Sequence, residues 1–431
     1  MSRRRPVRGA AAATAVLVLV TVTIGGAVLA SVLTTGLTAG AATSSSPWTG
    51  AFTAVAVPAR VDQVKSTSCA DADHCWAVGE SVGRGATESP AAIIATTNGG
   101  RSWASQAVPS GIGVLHDVSC ADRHYCVTVG QSDQTPFGGS AVLVTSNGGT
   151  TWTAGPLLAG VFDMTTVACR ADRHCLAIGT VAAGGAVFAS SPGHSGWTTI
   201  GSLPPGVGGA SSLSCTDDRH CWATGYTSTD PFHVSGVVAA TANGGATWAA
   251  LPVPAGTGYL NGIACTQGPV GQDGSASTTT TTTTTHARRP AGSPPTTVPT
   301  TVTTTAPTPS VAGASCVAVG TSAVAQGQTR TGHGLILAST NGGASWTSEP
   351  VPSAVATLFA VSCPSISSCA AVGSTPAAST QAGVTVLTGA TQTPWQHPTV
   401  VTMPLAVSGV SCQSTSSCAV VGGAYTAYLR S

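Results

Sequence analysis

Seven cysteine pairs at one spacing, a tryptophan-ended turn motif that recurs, and 53 glycines and 27 prolines among apolar residues dominated by Ala and Val predict an all-β chain. The repeat is about 49 residues long, which suits four short strands per unit. The expected architecture is a seven-bladed β-propeller with four-stranded blades and one disulfide per blade, its last blade closed by an N-terminal strand. Helical bundles are disfavoured by the glycine and proline content. An open β-solenoid is the competing arrangement.

The charge balance excludes one function class. Among 431 residues, 16 are Lys or Arg and 15 are Asp or Glu, a net charge of +1. Lys65 is the sole lysine, so the clustered basic surface that a nucleic-acid partner needs is missing. An apolar content of 42% with low net charge favours a packed core over disorder.

Residues 1–46 read as a signal peptide or an N-terminal membrane anchor. Arg3, Arg4, Arg5 and Arg8 precede an uncharged run, and its most apolar part, Ala15 to Leu33, is long enough to cross a bilayer as a helix. Positive charge before such a run keeps the N-terminus cytoplasmic and sends the rest outward. Small-residue cleavage sites stand at Ala39-Gly40-Ala41 and Val28-Leu29-Ala30. Cleaved and anchored forms both stay open; either places the chain outside the cytoplasm, secreted or at the cell surface, with membrane contact only through this segment.

Residues 47–431 hold the repeats. The pairs Cys69/Cys75, Cys120/Cys126, Cys169/Cys175, Cys215/Cys221, Cys363/Cys369 and Cys412/Cys418 share a C-x5-C spacing, and Cys265 and Cys316 form a seventh pair across an insertion. A glycine stands four residues after each second cysteine: Gly79, Gly130, Gly179, Gly225, Gly320, Gly373 and Gly422. Trp103, Trp152, Trp248 and Trp346 end the motifs TTNGGRSW, TSNGGTTW, TANGGATW and STNGGASW, and Trp197 and Trp395 mark worn copies. Each of these six tryptophans lies 17 or 18 residues before the next first cysteine. The tryptophan missing from the C-terminal unit is Trp48, at the other end of the repeat region. That circular offset suits a closed ring, where the two ends share a sheet and protect its edges.

In the second unit the strands read as LHDVSC, CVTVG, SAVLVTS and WTAGPL. Asn147-Gly148 between the third and fourth predicts a type I′ hairpin turn, with positive φ at both residues. The S/T-x-N-G-G-x-S/T-W motif resembles the Asp-box, or bacterial neuraminidase repeat, of sialidases, sortilin-type propellers and photosystem II assembly-factor propellers. It departs from that pattern in placing Asn98, Asn147, Asn243 and Asn341 where Asp is usual. The resemblance implies a propeller with the box on the face away from the ligand, and says little of chemistry.

In an exported chain, evenly spaced cysteines imply disulfides, here one across each first hairpin, worth about 2 to 2.5 kcal/mol apiece in chain entropy. His74, His124, His174 and His220 near the second cysteine raise zinc as an alternative, but Cys363 to Cys369 and Cys412 to Cys418 keep both cysteines without histidine. Three soft ligands per copy also fall short of the four that structural zinc takes. No metal and no cofactor is expected. Asp122-Arg123-His124 and its relatives read as polar turn residues or as an arc for an anionic partner. The Thr/Pro-rich stretch 267–312, with threonine from Thr278 to Thr285, cannot form a core and reads as a solvated, disordered insertion, either glycosylated or a neutral loop.

The face made by second-to-third-strand and fourth-to-first-strand loops is the expected ligand surface. Candidate contacts there are Arg60, Asp62, Glu80, Arg84, His116, Asp117, Tyr226 and Tyr259, with Lys65 on an innermost strand facing the central channel. Sialidase chemistry wants an arginine triad and a Tyr assisted by a Glu; with glutamate only at Glu80, Glu88 and Glu349, no catalytic position matches. Glu80 and Asp117 are the one pair imaginable as two glycosidase carboxyls. The expected function is therefore a monomeric, non-enzymatic binding or scaffold module outside the cytoplasm, with an extracellular protein or glycan as partner. The alternatives are a sialidase-like glycoside hydrolase and a photosystem-assembly-factor-like protein.

Overall fold

The computed structural model describes residues 52–81, 91–134, 138–190, 196–230, 233–267, 313–323, 332–365, 367–375, 384–389, 399–401, 407–423 and 425–430. The expected signal or anchor segment, most of the insertion, Trp48, Trp395 and Arg84 lie outside them. Among the described residues no helix is long and apolar enough to cross a membrane.

Among the described residues all regular structure is β, in seven antiparallel four-stranded sheets. The first contains β2 (Val61–Cys69), β3 (Cys75–Ser81), β4 (Ala91–Thr96) and β5 (Ala104–Gln106). The second contains β6 (Ile112–Cys120), β7 (Cys126–Ser132), β8 (Ser140–Thr145) and β9 (Thr153–Ala154). The third contains β10 (Val161–Cys169), β11 (Cys175–Val181), β12 (Gly184–Ser190) and β13 (Trp197–Ser202). The fourth is β14 (Val207–Cys215), β15 (Cys221–Asp230), β16 (His233–Thr241) and β17 (Ala249–Leu251). In the fifth, β18 (Thr257–Gln267) and β19 (Ala314–Ser322) flank the insertion and are followed by β20 (Gly334–Ser339) and β21 (Thr347–Glu349). The sixth is β22 (Thr357–Ser365), β23 (Ser368–Ser374), β24 (Val384–Gly389) and β25 (Thr399–Val401). The last joins the chain ends, with β26 (Gly409–Ser414), β27 (Ser417–Gly422) and β28 (Tyr425–Arg430) paired to β1 (Thr53–Ala56) through Thr53↔Tyr428 and Ala56↔Tyr425.

Burial follows the position of a strand in its sheet. The second and third strands are apolar on both faces and buried on both, as in CWAVG of β3 and AVLVT of β8, because each sheet is packed between two others. The cores lie between sheets rather than within them. Trp76, Val78 and Ile93 of the first sheet meet Leu115, Val118 and Leu143 of the second, and Ala419 and Val421 of the last meet Val64 and Ile94 of the first. The outermost strands are short and exposed. Trp103, Trp152, Trp197 and Trp346 seal the outer end of these cores, each under 10% exposed. All seven disulfides form as the spacing predicts, including Cys265–Cys316 across the insertion.

The box turn differs from the type I′ expectation. Positive φ falls on the two glycines, 70° at Gly148 and 81° at Gly149, and Asn147 is not among the positive-φ residues. The reason is the Asn side chain. Asn147 Oδ1 accepts from Thr151 N at 3.0 Å and from Thr145 Oγ1 at 3.0 Å, while Nδ2 donates to Thr151 Oγ1 at 2.9 Å. A side chain that clamps the residue four ahead leaves the backbone reversal to the glycines. The same network recurs around Asn98, Asn243 and Asn341. In each turn the first glycine N–H also caps the first hairpin of its own sheet, as Gly148 N does on His124 O at 2.9 Å. Box and disulfide therefore share one face.

Candidate functional site: the central channel and its mouth

One irregularity, repeated around the ring, builds the channel. In six sheets the register between first and second strands shifts at the residue four before the first cysteine, Lys65, His116, Thr165, Ser211, Asn261 or Phe359, besides a second shift elsewhere in each pairing. A bulged residue has no ladder partner and is turned away from the sheet. Together with Ser408, which precedes β26, these residues line a polar cavity of about 260 Å³ to which the innermost strand of every sheet contributes.

The bulge also explains the glycine four residues after the second cysteine. A Cβ on Gly130 would stand 2.0 Å from Val114 O, and one on Gly79 1.9 Å from Gln63 O. The strand bows toward its neighbour there, and only glycine leaves room.

Asp117 is a hub. It lies with His116 in β6, the strand expected of LHDVSC, and is half-buried. Its Oδ1 accepts from Ser66 Oγ at 2.7 Å and Val118 N at 2.9 Å; its Oδ2 accepts from Thr166 Oγ1 at 2.8 Å and Val167 N at 3.0 Å. One carboxylate thus joins three consecutive innermost strands. Burial pushes its pKa above the ordinary carboxylate value, and the four donated hydrogen bonds oppose that rise.

The other ionisable groups of the channel are paired. Lys65 Nζ meets Glu80 Oε1 across β2 and β3, and His116 Nε2 lies 3.1 Å from Asp163 Oδ2. Asp163 Oδ1 is buried without a hydrogen-bond partner among the described residues. Glu80 and Asp117, considered as a carboxyl pair, each have their own partners, so a free acid facing a free base is not formed.

Of the remaining candidates, Tyr226 and Tyr259 are brought together. Their rings pack edge to face at 5.3 Å and 64°, and they are 41% and 46% exposed. They sit on β15 and β18, away from the disulfide ends of those strands. Asp62 is exposed on β2 and forms no ion pair with another candidate among the described residues. Arg60 occupies the turn before β2 with a φ of 84°.

One set of positioning residues escaped the sequence reading. The serine before the first cysteine accepts a hydrogen bond from the first cysteine N–H of the next sheet: Ser68 from Cys120, Ser119 from Cys169, Ser214 from Cys265, Ser362 from Cys412 and Ser411 from Cys69, at 2.9 to 3.0 Å. The bond from Cys69 to Ser411 closes the ring. Its signal was the recurring Ser-Cys dipeptide, interrupted only where Ala168 and Ala264 replace serine.

No protein-family model matches the chain, and no curated protein is similar to it. Solved structures share the fold. YCF48 bound to D1 peptide aligns at a TM-score of 0.52 and 13% identity, covering 88% of this chain and 97% of that one. A streptogramin B lyase aligns at 0.51 and 13%, covering 90% and 99%. A virginiamycin B lyase from Staphylococcus aureus aligns at 0.54 and 9%, covering 89% and 100%. At such identities the likeness establishes a β-propeller and no activity.

Proposed function

We propose that this chain is an exported propeller of the Asp-box type, its seven sheets acting as the seven blades of one ring, which serves outside the cytoplasm as a binding or scaffold module. One observation carries the reading. The carboxylates at the channel are already bonded within the protein, through Asp117, Glu80–Lys65 and Asp163–His116, whereas the Tyr226–Tyr259 pair is exposed. Such a face offers contact area without a free acid or base. Tyrosine supplies large amphipathic area at low entropic cost and is enriched at interfaces. An extracellular protein or glycan is the partner class that this surface suits.

Export rests on the Arg-led apolar N-terminus, and fractionation of cells with antibody detection tests it. The binding role is tested by pull-down of envelope protein and by a glycan array, run beside a panel of fluorogenic glycosides. Retention that Tyr226→Ala/Tyr259→Ala abolishes, without turnover, supports the module. Turnover that needs His116 and Asp163 would instead support a hydrolase or lyase, the second reading, which the close His116–Asp163 pair at the channel favours.

A further inference from the structure

On the face opposite the channel mouth, the turns of the first and second sheets enclose a cleft of about 650 Å³, within the size range of small-molecule sites. The next junction shows what the protein does with such a cleft. There Arg173 of the third sheet donates from Nε and Nη2 to Asp122 Oδ2 of the second at 2.9 and 2.8 Å, and its guanidinium lies 5.4 Å from the centre of the Tyr125 ring. That junction is closed by the chain itself.

The first junction has lost this closure. His74 stands where Tyr125 stands, directly before the second cysteine, and Asp71 stands where Asp122 stands. His74 Nδ1 lies 2.9 Å from both oxygens of Asp71 within its own turn, so that carboxylate is not offered across the cleft. Asp122 is committed to Arg173, and Asp73 also has a partner. His124, at the position of Arg173, keeps its ring unbonded among the described residues. Arg123 beside it is exposed, and its guanidinium likewise has no hydrogen-bond or ion-pair partner among them.

The rest of the cleft specifies a ligand. Ala95 and the edge of the otherwise buried Trp76 form an apolar floor, with the indole N–H already bonded to Gly148 O at 3.3 Å. On the rim, the hydroxyls of Thr97 and Ser146 have no partner among the described residues. A free planar guanidinium suits a carboxylate, an apolar floor suits the C–H face of a sugar ring, and rim hydroxyls suit its hydroxyls. We propose that this cleft binds a carboxylated sugar unit of the uronic-acid class, held by Arg123 and seated on Ala95 and the edge of Trp76. The site is independent of the Tyr226–Tyr259 pair.

Titration calorimetry of the full chain with glucuronic acid, glucose and sulfate tests the assignment. Glucuronic acid is expected to bind at least about tenfold more tightly than glucose or sulfate, and Arg123→Ala to weaken it about tenfold or more, the loss of one charge-assisted contact. His74→Tyr/His124→Arg, which rebuilds the closure of the next junction, is expected to abolish binding, while Tyr226→Ala/Tyr259→Ala leaves it unchanged. Absence of glucuronic-acid binding, or wild-type affinity in Arg123→Ala, overturns the site. Equal affinity for sulfate overturns the sugar assignment.

Discussion

Replacing Asp117 by alanine removes one side chain and orphans donors on three blades. The hydroxyls of Ser66 and Thr166 can turn elsewhere, but the N–H groups of Val118 and Val167 are fixed by the backbone. Each buried donor left unpaired costs about 1–3 kcal/mol, so the two give about 2–6 kcal/mol. Relief from burying a carboxylate offsets part of this, which sets the expected loss at about 2–4 kcal/mol. Urea unfolding of the disulfide-intact protein, followed by tryptophan fluorescence, measures it. Ser362→Ala is the reference, because it removes one acceptor, that of Cys412 N, at about 1 kcal/mol. The pH dependence has a definite sign. A carboxyl whose folded pKa is raised contributes stability fully below its ordinary value of 3.8 and loses it as pH rises through the folded value. The cost of Asp117→Ala is therefore greatest in acid and shrinks toward neutrality. A loss no larger than that of Ser362→Ala, or one that grows with pH, would refute the assignment of Asp117 as the hub of the ring.

Gly130→Ala forces a Cβ to within 2.0 Å of Val114 O and is expected to cost more than about 3 kcal/mol, a backbone clash rather than a propensity effect; the same urea titration reads it, and a loss below about 1 kcal/mol, the propensity scale, counts against the bulge. Asn98→Asp is expected to be nearly neutral, since the Ser102 hydroxyl can donate to a carboxylate where it now accepts from Nδ2, whereas Asn98→Ala loses the clamp and about 1 kcal/mol or more; thermal melts compare the two. At Asp71, Asp122, Asp172 and Asp217 burial works to raise the pKa, but turn hydrogen bonds and the neighbouring His or Arg outweigh it and hold each below 3.8. Their stabilisation is present above that value and lost as pH falls through the depressed pKa values, so the stability gap between wild type and Asp217→Asn should close in acid titration below about pH 3.8.

The ring was legible because its determinants are local and repeated. Cysteine spacing sets the first hairpin, the box sets the last, and the circular offset of Trp48 announces that the ends share a sheet. The channel was less legible, for a geometric reason. LHDVSC reads as strand, yet His116 and Asp117 are neighbours that an ordinary pleat would send to opposite faces. The bulge breaks that alternation: His116 leaves the ladder while Asp117 turns to link the flanking blades. The recurring glycine was visible, but its cause lies in the close approach of another strand. The type I′ turn failed at the same level, because the Asn side chain reaches four residues ahead and displaces the positive φ by one residue.

These features bear on where a ligand can act. A ring stitched at its centre by serine hydroxyls and by Asp117 is held together by the groups that a channel enzyme would need free. Each hydrogen bond that Ser411 or Asp117 accepts in closing the ring also takes an acceptor away from solvent. On the two proposals made above, recognition falls outward, to the Tyr226–Tyr259 pair and to the Arg123 cleft. The two are separable by mutation because they belong to opposite ends of the same strands: the bulged ends carry the tyrosines, and the disulfide ends carry the cleft.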